Sequence, residues 1–302
     1  MSSSAPAVHP AARARTYASF VRLEHTLFSL PLILAGVFSA PGPAMSASRW
    51  LLTAVAAVGA RTAGMSLNRL IDRRLDARNP RTRVRELPSG AMTPAEGVAL
   101  LVGSTAAYLA ACALLGRWYL EVAVVPLAVF TLYPYLKRFT PLCHLGVGTA
   151  LGLSPLAGYA AAHPDLSRPG PELALAVFAL VWVSGFDVIY ATLDEASDRE
   201  NGIHSLVVRL GRPGALRVAA ALHGVAVIAA GLACAMVLRV PGAIATPWGV
   251  VSALGFVVVA TLLVLEQRLA DDVHLAFFKI NVWVGAAVLV TVLAARLASG
   301  GF

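Results

Sequence analysis

Acidic side chains are scarce in this chain, sixteen among 302 residues, and two groups of them are spaced for joint chemistry. Asn68, Asp72 and Asp76 follow one another at intervals of four, which stacks them on one face of a helix. Asp187, Asp194 and Asp198, at intervals of seven and four, again share a face. Carboxylates on adjacent turns repel each other unless a cation lies between them. Hard oxygen donors so arranged suit Mg²⁺, which takes a few carboxylates and completes its shell with water and substrate phosphates. Arginines interleave with the acids, and guanidinium is the matched partner of phosphate oxygens. Two such clusters at facing helix ends read as a cage for metal and diphosphate. The plainer alternative for either cluster alone is a solvated, salt-bridged helix end. Asp187 resists that alternative, because it lies about two turns inside an apolar segment, where an ionisable group costs at least ~2.5 kcal/mol and is usually functional.

The elements that must position these residues follow from composition. The chain is 58% hydrophobic and 13% charged, against roughly 25% charged in a soluble domain. That excludes a soluble enzyme, a disordered chain, a coiled coil and a disulfide scaffold. The three cysteines, Cys112, Cys143 and Cys234, are far apart and form no C-x-x-C, so they read as small packing residues. Apolar stretches fit for crossing a membrane occur at 26–40, 50–71, 95–116, 120–136, 141–162, 173–193, 215–237, 245–265 and 276–297. The expected fold is all-α, a polytopic membrane protein with nine transmembrane helices bundled around a central cavity that opens to the cytoplasmic side. No long polar block interrupts the series. The expected organisation is therefore a flexible tail over 1–15 and a single transmembrane domain over 16–302.

Charge placement orients the bundle. With the N-terminus inside, seventeen of the twenty-four Lys and Arg residues fall on the inner side, as the positive-inside rule requires. The expected location is the inner (cytoplasmic) membrane of the cell, multi-pass, with the N-terminus cytoplasmic and the C-terminus outside. The net charge of +8 is then mostly topology, and no nucleic-acid partner is expected. Arg61 sits mid-span and requires a partner such as the carbonyls of another helix.

At the level of motifs a resemblance emerges. Asn68-Arg69-x-x-Asp72-x-x-x-Asp76, followed by Asn79-Pro80-Arg81-Thr82 and Arg85-Glu86-Leu87-Pro88-Ser89-Gly90, resembles the first signature of the UbiA superfamily of intramembrane aromatic prenyltransferases. Tyr133-Pro134-Tyr135-Leu136-Lys137-Arg138-Phe139-Thr140 resembles its basic inner loop. Asp187-x-x-Tyr190-Ala191-x-x-Asp194-x-x-x-Asp198-x-x-x-Gly202-Ile203-His204-Ser205 resembles its second signature. Together the motifs and spans cover about residues 15–300. Within the superfamily the chain is most similar to 4-hydroxybenzoate polyprenyltransferases, and in particular to a bacterial branch tied to the futalosine route to menaquinone. His25-Thr26 stands where many relatives carry Lys-Pro or Arg-Pro, which leaves the acceptor open.

The resemblance implies an activity and a set of roles. The activity is Mg²⁺-dependent transfer of a polyprenyl group from polyprenyl diphosphate to a 4-hydroxybenzoate-like or dihydroxynaphthoate-like acceptor, in ubiquinone or menaquinone biosynthesis. Its partners are the polyprenyl diphosphate, the small aromatic acceptor and the lipid bilayer. Asn68, Asp72 and Asp76 would hold one Mg²⁺ and Asp194 with Asp198 a second. Asp72, Asp194 and Asp187 form the catalytic set. Arg22, Arg73, Lys137 and Arg138 would contact the diphosphate. Tyr190 would shield the allylic cation through its π face, and His25 would meet the acceptor, the plainer readings being a packing residue and an interfacial side chain. Asp187 either handles the acceptor or completes the metal shell. Arg85 and Glu86 would form either a lid over the cavity or a surface ion pair, and His204 would take a helix-end or loop role. The alternatives are the same chemistry on a haem or chlorophyll precursor or, from another class, a proton-coupled transporter with Asp187 as the coupling site.

Overall fold

The computed structural model describes residues 10–22, 26–42, 44–163, 166, 170–272 and 279–301. Among the described residues there are helices and no strands. The helices are α1 (Pro10–Phe20), α2 (Thr26–Phe38), α3 (Ala47–Arg78), α4 (Pro94–Leu115), α5 (Arg117–Val122) and α6 (Val124–Leu136). They continue with α7 (Cys143–Ala162), α8 (Pro171–Ala191), α9 (Glu195–Glu200), α10 (Leu206–Val237), α11 (Pro247–Arg268) and α12 (Asn281–Ala298). Among the described residues eight segments are long and apolar enough to cross a membrane, with α5 and α6 running as one and α8 continuing into α9. The fold is that of a multi-pass, all-helical membrane protein. The first expected span is α2, whose 13 residues reach only about 20 Å at ~1.5 Å per residue, short of the ~30 Å hydrocarbon layer. α1 starts at Pro10, inside the stretch read as tail, and Arg13 pairs with Glu96 and donates to the Ala91 carbonyl at 3.3 Å.

α8 is the axis of the bundle. Leu175, Phe178, Trp182 and Phe186 project from it into a core shared with Leu32 of α2, Ala226 of α10, Leu263 of α11 and Val288 of α12. On its other side lies α7. Lipid tails are as apolar as leucine, so helices associate in a membrane by close approach rather than by the hydrophobic effect. The approach here depends on missing side chains. A Cβ on Gly148 of α7 would collide with Ser184 and the Leu180 carbonyl of α8, and Cβ atoms on Gly36 and Gly158 would collide with backbone across the α2–α7 crossing. The outer helices turn large apolar groups such as Leu51, Val102, Leu114 and Leu254 outward, where a bilayer would cover them.

Three local features position the polar residues. α3 runs for 32 residues, about 48 Å, so its last turns project beyond a bilayer's thickness and carry Asp72 and Asp76. The segment after it folds back over its end. Asn79 Oδ1 accepts from the Arg81 N–H at 2.9 Å and Thr82 Oγ1 donates to the Asp76 carbonyl at 3.0 Å. After Ala191, α8 tightens into a 3₁₀ turn, Thr192–Asp194, before resuming as α9. α10 breaks at Gly211 (φ 66°) ahead of Pro213, near the expected start of that span at 215. The carbonyls at the end of α1 meet the arginines of α3: Arg61 donates to Arg22 O at 2.6 Å and buried Arg69 to Phe20 O at 3.4 Å. Carbonyls at a helix C-terminus lack intrahelical partners and carry the negative end of the dipole, so they suit guanidinium.

Candidate active site

The end of α3, the fold-back segment, the ends of α6 and α8, the start of α7 and α9 surround a cavity of about 220 Å³. Asn68, Asp72, Asp76, Asp187, Asp194 and Asp198 all line it, as does Lys137. The two carboxylate clusters, remote in sequence, thus face one space.

Most of these carboxylates are held by a basic partner. Lys137 Nζ lies 2.5 Å from Asp72 Oδ2, to which Asn68 Nδ2 also donates at 3.3 Å. Arg85 Nη1 forks onto both oxygens of Asp76 at 2.8 and 3.0 Å. Arg81 grips Asp194 in a bidentate pair, with its Nε 2.8 Å from Oδ1 and its Nη2 on Oδ2. Asn79 Nδ2 adds a third donor to Asp194 at 2.8 Å. Burial works against the Arg81 charge, but the hydrogen bond to Asp194 and the neighbouring Tyr190 and Asp194 outweigh it and raise its pKa. Arg81 is therefore a permanent cation and not a pH switch. Asp187 has a different partner: His144 Nδ1 of α7, at 2.7 Å.

Among the described residues no three Asp, Glu, His or Cys groups converge on a single point as metal ligands. The basic side chains stand against the carboxylates instead. The donor set nonetheless fits a hard divalent cation. It is all oxygen, and Asp72 Oδ1 is buried with no hydrogen-bond partner, a costly arrangement for a carboxylate oxygen. Lys137, Arg81 and Arg85 can exchange a carboxylate for a phosphate, since both are anionic oxygen acceptors.

Other expected site residues lie elsewhere. Arg73 and Arg138 line a neighbouring basic depression, together with Arg74 and Arg78, rather than the acidic cavity. Arg138 donates to Ile71 O at 3.1 Å and comes within 3.9 Å of Asp72 Oδ1. Tyr190 lies under Arg81, with the guanidinium 4.7 Å from the ring centroid and Nη1 2.6 Å from the hydroxyl, so Arg81 covers that π face. Arg22 adopts a left-handed backbone (φ 49°) outside the cavity lining. His25 lies outside the described residues. Two partnerships carried no sequence signal of their own. Arg81 and Arg85 belong to a recognisable motif, but nothing local assigns them to Asp194 and Asp76. For His144 the signal is only general: a histidine in one apolar span and an aspartate in another each call for a polar partner.

Comparison with known proteins agrees with this geometry. Residues 29–295 match the model of the UbiA prenyltransferase family. The chain is 30% identical to a 4-hydroxybenzoate octaprenyltransferase of Coxiella burnetii over 238 residues, 77% of this chain and 78% of that protein. The apo structure of a UbiA homolog from Aeropyrum pernix K1 superposes with a TM-score of 0.77 at 32% identity, covering 88% of this chain and 96% of that one. A UbiA homolog from Archaeoglobus fulgidus, bound to GPP and Mg²⁺, shares the fold with a TM-score of 0.67 at 16% identity, covering 94% of this chain and 99% of that one. With two facing carboxylate clusters in an all-helical membrane bundle and a family match over nearly its whole length, this chain is an enzyme that belongs to the UbiA prenyltransferase family.

Proposed function

We propose that this chain transfers a polyprenyl group from polyprenyl diphosphate to a small aromatic acceptor of the 4-hydroxybenzoate or dihydroxynaphthoate kind, for ubiquinone or menaquinone synthesis. The observation that carries the reading is one cavity faced by both carboxylate clusters and by Lys137, Arg81 and Arg85. The Coxiella relative's name supports the acceptor class, and the ligands of the Archaeoglobus homolog support the donor class. Asn68, Asp72 and Asp76 would hold one Mg²⁺, and Asp194 with Asp198 a second. Divalent cations bound there supply charge neutralisation for the departing diphosphate. Lys137, Arg81 and Arg85 bind the diphosphate oxygens once they release their carboxylates. Asp187 precedes Asp194 by seven residues, about 10 Å through the last turn of α8 and the 3₁₀ turn after it. It therefore sits deeper than the diphosphate tier, beside the allylic carbon, where it orients the acceptor and takes its ring proton.

A product screen tests the proposal. Membranes containing the protein receive a polyprenyl diphosphate, Mg²⁺, 4-hydroxybenzoate and dihydroxynaphthoate, and products are read by mass spectrometry. The expected result is one prenylated aromatic product that disappears when a chelator removes the metal. Transmembrane flux of substrate with no prenylated product would overturn the proposal in favour of a transporter.

A further inference from the structure

We propose that His144 is the positioning residue for Asp187, holding the carboxylate toward the acceptor as a neutral hydrogen-bond donor. The inference rests on the prenyl-transfer reading above. His144 is 3% exposed, and its Nδ1 lies 2.7 Å from Asp187 Oδ2. Asp187 itself lines the cavity. An ionised carboxylate only accepts hydrogen bonds, so the proton between the two belongs to Nδ1. The other ring nitrogen, Nε2, is buried with no partner. In an imidazolium that atom would be a charged N–H with no acceptor, a larger penalty than a bare lone pair. The geometry therefore assigns the neutral tautomer with hydrogen on Nδ1.

The backbone under the pair is closely packed. Ser184 Oγ, one turn before Asp187 on α8, donates to the His144 carbonyl at 3.2 Å. Gly148, one turn after His144 on α7, lets the two helices touch at Ser184. Functional groups on closely packed helices are held more tightly than groups on loops. The choice of partner also sets Asp187 apart. Asp72, Asp76 and Asp194 each face a full cation. Asp187 is instead held by the His144 ring nitrogen.

The step it serves balances as follows. A bond forms between the allylic carbon and a ring carbon of the acceptor as the allylic C–O bond breaks, its electron pair leaving with diphosphate. The C–H bond at that ring carbon then breaks, its electrons restore the aromatic ring, and the proton passes to Asp187. His144 neither gains nor loses a proton.

The test compares His144→Phe, which fills the space without a donor, with His144→Asn, whose amide NH₂ stands near the position of Nδ1. Diphosphate release and prenylated product are measured separately with the acceptor that the wild type uses. The Phe variant should lose about 10–100-fold in kcat for product, the scale of a lost orienting partner, with the donor KM unchanged and diphosphate release outrunning product. The Asn variant should recover most of kcat and restore equal yields. In ¹⁵N spectra of the wild type, the imidazole signals that vanish in either variant should show Nδ1 protonated and Nε2 bare. A Phe variant with wild-type kcat, a folded Asn variant as impaired as Phe, or an imidazolium signature overturns the inference. If the Phe variant does not fold, the Asn variant and the spectrum decide. Wild-type protein that makes no prenylated product overturns instead the reading on which the inference rests.

Discussion

Asp72 and Asp194 stand at the centres of the two clusters, and each makes its principal contact with a cation from a distant part of the chain. Asp72→Ala or Asp194→Ala should abolish prenyl transfer at saturating Mg²⁺, with size-exclusion elution unchanged. Either variant retaining most wild-type activity would remove the metal assignment. Asn68→Ala should be milder, because a neutral amide holds a divalent ion less strongly than a carboxylate. Arg81→Gln removes the bidentate pair on Asp194 and, in the proposed mechanism, a diphosphate contact. It should lower kcat by about 10²-fold, as for other losses of preorganised charge, whereas Arg74→Gln, at the basic depression, should change kcat little. Steady-state rates for the two variants side by side check this. At this scale the acids were legible, because their spacing is local and helical. The identity of their partners was not. Lys137 lies 65 residues from Asp72 and Arg81 lies 113 from Asp194, and no local period encodes such a pairing.

At the scale of elements, small residues decide whether α2, α7 and α8 can meet. Gly158→Val would place carbon atoms where the Ile33 carbonyl lies. Overpacking of this kind costs about 1–3 kcal/mol or more, so thermal stability in detergent should fall by several degrees. Gly103→Ala on α4 is the contrasting case, since its Cβ would meet nothing within 4 Å. It should be neutral or raise stability by up to ~1 kcal/mol through helix propensity. Melting curves of both variants by fluorescence-detected size exclusion distinguish the two outcomes. The helices themselves were legible as apolar runs. The tight turn at Thr192–Asp194 was not, and it divides the expected single face of Asp187, Asp194 and Asp198 between different partners. Asp187 meets His144 of α7, while Asp194 meets the segment after α3.

At the scale of the whole molecule, the open quantity is the parity of membrane crossings. Among the described residues eight segments have spanning length and α2 is short. If α2 crosses, the count is nine and the termini lie on opposite faces, with the N-terminus and its nearby arginines inside by the positive-inside rule. Reporters fused at the two ends, in a bacterial inner membrane, should then read opposite compartments. Matching compartments would mean that α2 enters and returns without crossing.

The sequence by itself determined the solvent in which the protein folds, its helical class, its family and the two carboxylate clusters. The solvent, the helical class and the clusters rest on composition, on runs of about twenty residues or on spacings of a few residues, and local chemistry is enough to read them; the family rests on the resemblance of three motifs. Only the tertiary structure decided which charges meet. It joined Lys137, Arg85 and Arg81 to the carboxylates, placed Arg73 and Arg138 in the adjoining basic depression, laid Arg81 over Tyr190 and set His144 against Asp187. Electrostatic pairing and desolvation depend on distance through space, and helix crossings set those distances through the few positions where a missing Cβ lets two backbones touch.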